Sequence, residues 1–73
     1  MYTWKLTKYG SNFYRDDELS FTQEQLALLF DWQMHRMGED AIYAKLKKTG
    51  MKSINDFLST TFEHPDMIEI SIQ

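Results

Sequence analysis

Apolar and polar residues alternate near both ends of the chain and follow a helical period in between. From Tyr2 to Thr7, Tyr2, Trp4 and Leu6 fall on one side and Thr3, Lys5 and Thr7 on the other, the two-residue period of a half-buried strand. Ile68, Ile70 and Ile72 alternate with Glu69 and Ser71 in the same way, and their β-branched side chains favour a strand. Gly10 and Ser11 signal a turn, after which residues 12–15 are expected to return as the second strand of a hairpin. Asp16, Asp17 and Glu18 read as a solvated loop just ahead of a helix N-terminus, where the helix dipole favours negative charge.

The strongest start signal follows. Thr22 and Gln25 form a T-x-x-Q capping box, with Phe21 placed to staple against Leu26. The period predicts a helix from Gln23 to Met37 whose core stripe is Leu26, Ala27, Leu29, Phe30, Met34 and Met37. Leu28 and Trp32, four residues apart, fall on nearly the opposite side, flanked by Gln25, His35 and Arg36. Gly38 suits the left-handed residue that ends this helix. A second helix is expected from Asp40 to about Thr49, acidic at its start and carrying Lys45, Lys47 and Lys48 at its end, with Ile42, Tyr43 and Leu46 buried and Gly50 stopping it. Ser53 and Asp56 resemble another capping box, opening a short helix from Ile54 to about Thr60 with Ile54, Phe57 and Leu58 as its apolar stripe. Pro65 marks a loop before the last strand.

These elements predict one α+β domain over residues 1–73, in the order β-β-α-α-α-β if the hairpin forms. Joining the chain's two ends in one sheet places Trp4, Leu6 and the three isoleucines under the helices. A domain of 73 residues buries only roughly 60% of the surface of its unfolded chain, and a single core of this size supplies about 3–5 kcal/mol. Without cysteine there is no disulfide or thiolate metal site to add to that. Lys5 and Lys8 interrupt the first ten residues, so neither a signal peptide nor a membrane span is expected, and a cytoplasmic location is inferred.

The candidate chemistry is sparse. Asp31 and His35 have a spacing that can chelate a metal, and His64 lies between Glu63 and Asp66, but two histidines without cysteine make a poor ligand set. No nucleophile elbow or glycine-rich phosphate loop is present, so no catalytic residue, metal or cofactor is assigned and an enzyme is not expected. A net charge of −3 disfavours nucleic acid, although Lys45, Lys48 and Lys52 offer a basic patch and keep a small DNA- or RNA-binding regulator as the alternative. The preferred expectation is a small protein-binding regulator or inhibitor that occupies a surface of a larger partner, in the manner of phage-encoded factors that redirect a host enzyme such as RNA polymerase. Gln25, Leu28, Trp32, His35 and Arg36 are its candidate partner-binding residues, since a tryptophan beside an arginine on a rigid helix is a common anchor. The chain is expected to be a monomer or a weak homodimer.

Overall fold

The terminal strands meet. In a computed structural model, which describes residues 1–50 and 54–73 (for 54 and 55 the backbone alone), β1 (Tyr2–Leu6) pairs antiparallel with β2 (Ile68–Ile72). Trp4 lies opposite Ile70 and Leu6 opposite Ile68, so the apolar side chains of both strands share one face. The other face is polar: the Thr3 and Ser71 hydroxyls meet at 3.1 Å, and Lys5 approaches Glu69 at 4.0 Å. Between the strands lie three helices, α1 (Gln23–Gln33), α2 (Glu39–Lys48) and α3 (Ile54–Glu63), giving a small α+β domain. None of these helices is long and apolar enough to cross a membrane.

The expected second strand does not form. Residues Gly10–Asn12 and Asp16–Glu18 are single 3-10 turns, and among the described residues the sheet has two strands. The physical reason is a close approach between two backbones. Gly10 is buried against the Met67 carbonyl, a Cβ on it would lie 1.9 Å from that oxygen, and the same oxygen accepts from the Thr7 backbone N–H at 3.1 Å. The chain after β1 therefore docks on the Pro65–Met67 turn instead of folding back as a hairpin. Phe13, assigned to that strand, stacks on the His64 ring at 4.8 Å, while the Tyr9 hydroxyl meets His64 Nδ1 at 2.7 Å.

The capping box is present as read. Thr22 Oγ1 accepts from the Gln25 N–H at 3.1 Å, and Gln25 Oε1 accepts from the Thr22 N–H at 2.9 Å. The far end of α1 differs. The helix stops at Gln33, and His35, with φ of 60°, takes the left-handed position that the sequence assigns to Gly38. The His35 N–H donates to the Trp32 carbonyl at 3.0 Å and the Arg36 N–H to the Asp31 carbonyl at 2.9 Å, the two bonds of a Schellman motif. Gly38 is instead the N-cap of α2 in an extended conformation. The second helix ends as expected, with Gly50 at φ of 76°.

The core joins Leu26 and Leu29 of α1 to Ile42 and Leu46 of α2, Phe57 and Leu58 of α3, and Met67, Ile68 and Ile70. The buried side of α1 is centred on Leu29, 1% exposed, and is turned by roughly a quarter of the helix circumference from the stripe expected around Phe30. Phe30 is half-buried beside the Tyr2 ring, and Met34, expected in the core, is 52% exposed. Helix α3 runs to Glu63 and not to Thr60, and within it Thr60 and Thr61 donate their hydroxyls to the carbonyls of Asp56 and Phe57 at 2.9 and 2.7 Å. Thr61 is thereby satisfied although fully buried. The Ser53 cap, the Ile54 side chain and Lys52 lie outside the described residues.

Candidate functional site

Helix α1 crosses the sheet diagonally, and two glutamines fasten it. The bonded pairs Met1–Gln73 and Thr7–Met67 flank the ladder, so by antiparallel alternation residues 2, 4 and 6 and residues 68, 70 and 72 direct their backbone groups away from the partner strand. At one end, the Gln23 amide accepts from the Tyr2 N–H at 2.7 Å and donates to the Tyr2 carbonyl at 2.8 Å on the outer edge of β1. At the other end, Gln33 Nε2 donates to the Ile68 carbonyl at 3.0 Å on the outer edge of β2.

Beside that second contact runs an open groove of about 770 Å³. One wall is the edge of β2 with the Pro65–Met67 turn, and the other is the α1–α2 corner. Trp32, Met34, Met37, Ile68 and Ile70 supply apolar surface, while His35, Glu39, Asp66 and Glu69 are polar. Trp32 lies 5.4 Å from the Phe62 ring, so the indole packs against α3 while also lining the groove. Methionine suits such a wall, because its unbranched side chain adapts to different shapes.

The groove brings together two of the candidate residues, Trp32 and His35. Leu28 is half-buried against the core, as Trp32 is, so the two do not stand out as a free apolar face. Arg36 is exposed and directed to Asp31, with Nη1 to Oδ1 at 3.3 Å. Because His35 has left the helix, Asp31 and His35 do not form a helical chelating pair. Gln25 is 5% exposed at the opposite end of α1. There it completes the capping box and donates Nε2 to Thr49 Oγ1 at 2.9 Å, which in turn donates to the Leu46 carbonyl at 2.6 Å. Gln25 thus ties the start of α1 to the end of α2, at a second hollow of about 750 Å³ that Tyr14 and Phe57 also line.

Met34, Met37, Gln33 and Ile70 belong to the groove but were not legible as site residues. Extending the helical period through Met37 assigned both methionines to the core, whereas the early stop at Gln33 swings them onto the groove wall. Lys45, Lys47 and Lys48 are exposed along the last turn of α2, where they complement its dipole. Among the described residues no cluster of three or more histidine, aspartate or glutamate side chains could hold a metal ion. Comparison of the chain with protein-family models, with curated proteins and with solved structures finds no match.

Proposed function

We propose that this chain is a small, non-enzymatic protein-binding regulator that acts by occupying a surface of a larger partner through the groove beside β2. The observation that carries the reading is Met34. It is a large apolar side chain, 52% exposed on a groove wall that also carries Trp32 and Met37. Apolar side chains gathered in a concave surface with a polar rim are the arrangement that protein interfaces use, with water excluded from the centre and charges kept outside. Host RNA polymerase is the first partner to test.

The test is capture by the immobilised full chain of purified RNA polymerase and of proteins from a lysate, with Met34→Glu as the comparison. An exposed side chain has little packing to lose, so the variant should melt within a few degrees of the wild type while capture is lost. Capture that survives Met34→Glu, or salt-sensitive nucleic-acid binding that Lys45→Gln with Lys48→Gln removes, would replace this reading.

A further inference from the structure

Resting on the reading of the groove as a protein-binding surface, we infer that its occupant is an extended polypeptide segment, alternating apolar and basic side chains, that adds a third strand to the outer edge of β2. Two observations point to this occupant. The first is backbone chemistry: Ile70 and Ile72 direct N–H and C=O groups outward from the ladder, and among the described residues nothing bonds to them. Gln33 occupies the Ile68 carbonyl, and beyond it the outward groups of Ile70, 8% exposed, and Ile72, 58% exposed, have no bonded partner among the described residues. The outer edge of β1 is met by the Gln23 amide at Tyr2 and is likewise unbonded at Trp4 and Leu6 among the described residues, but the groove is lined by Ile68, Glu69 and Ile70 of β2 and by no residue of β1, which selects the β2 edge. An open strand edge is a template for another strand, and the alternate side chains of the incoming strand are then read by the neighbouring wall, here Trp32 and Met37.

The second observation is charge. Glu39, Asp66 and Glu69 line the groove, whereas among its described lining residues there is no lysine or arginine. Glu69 has only a loose exposed contact with Lys5, and neither Glu39 nor Asp66 has an ion-pair partner among the described residues. Basic side chains on the incoming strand complement this rim. A second copy of the chain at the same edge would bring its own carboxylates against these, which disfavours self-pairing.

The test titrates the isotope-labelled full chain with a short peptide of alternating lysine and valine, and with its glutamate–valine counterpart. The lysine peptide should move the amide signals of Ile70 and Ile72 and the indole N–H of Trp32, slow amide exchange at Ile70 and Ile72, and bind more weakly as salt is added. Ile72→Pro removes one outward N–H without touching the β1 ladder, and Ile72 is 58% exposed, so the fold should stay intact while affinity falls by roughly tenfold or more. Equal binding of the glutamate peptide, shifts confined to another surface, indifference to Ile72→Pro, or concentration-dependent dimerisation through Ile70 and Ile72 would each overturn the inference. Partner capture that depends on Met34 but not on the Ile72 N–H would sink the added strand alone. Capture that ignores Met34 would sink the functional reading beneath it.

Discussion

Gly10→Ala is the sharpest test of how the fold is assembled, because no positive φ is involved and the only issue is room. The added Cβ would sit 1.9 Å from the Met67 carbonyl oxygen, about 1.5 Å short of the 3.4 Å at which ordinary contact begins. It would also meet the Met67 carbonyl carbon and Cγ at 2.8 Å. These atoms cannot swing aside like the end of a surface chain, since Met67 is fully buried, its carbonyl accepts from the Thr7 N–H at 3.1 Å, and the Thr7 hydroxyl holds the same turn by donating to the Asp66 carbonyl at 2.7 Å. Parting the backbones enough to admit the methyl group stretches both bonds past useful length. Overpacking of this kind costs about 1–3 kcal/mol, and each bond lost adds about 0.5–1.5 kcal/mol. Together that is comparable with the roughly 3–5 kcal/mol available to a domain of this size. Urea denaturation followed by circular dichroism should show the midpoint lowered by about 2 M or more, taking a slope near 1 kcal/mol per molar urea. Gly38→Ser is the control: nothing lies within 4 Å of its added Cβ, the position is the N-cap of α2, and a hydroxyl there should stabilise by a few tenths to about 1 kcal/mol. A wild-type midpoint for Gly10→Ala would refute the close approach and with it the docking of the first turn on Pro65–Met67.

Three further outcomes follow from the same structure. His35→Gly should raise the melting temperature, because a left-handed residue with a Cβ costs roughly 1 kcal/mol that glycine avoids, and a lower melting temperature would contradict the Schellman end of α1. Leu29→Ala should cost about 2–5 kcal/mol and exceed Phe30→Ala in the same urea series, since Leu29 is the fully buried one of the two; the reverse order would restore the helix rotation read from sequence. Gln25→Ala should cost about 1–3 kcal/mol by breaking the capping box and the bond to Thr49 together, and a double-mutant cycle with Thr49→Ala should show the two losses to be less than additive.

Local rules were sufficient wherever a few neighbouring residues satisfy one another. The Thr22–Gln25 box needs only its own four residues, the isoleucine alternation of β2 needs only the pleat, and the charges of α2 need only its dipole, so all were legible along with the α+β class. The end of α1 is also a local matter, since the Asp31 and Trp32 carbonyls accept from the N–H groups of Arg36 and His35, but intrinsic preference for a positive φ points to the glycine at 38 rather than to His35. Two decisions lie beyond that range. The rotation of α1 depended on what covers it. Leu29 faces inward because the sheet lies on one flank, through Tyr2 and Phe30, and α3 on the other, through Phe62 and Trp32. The missing hairpin strand depended on Met67, which is distant in sequence and pressed against Gly10. The groove joins the α1–α2 corner to the edge of β2, which meet only after the termini pair, so no window of consecutive residues carries its pattern. Periodicity records which side of an element is apolar, but only the tertiary partners determine how much of that side they cover and which part stays open.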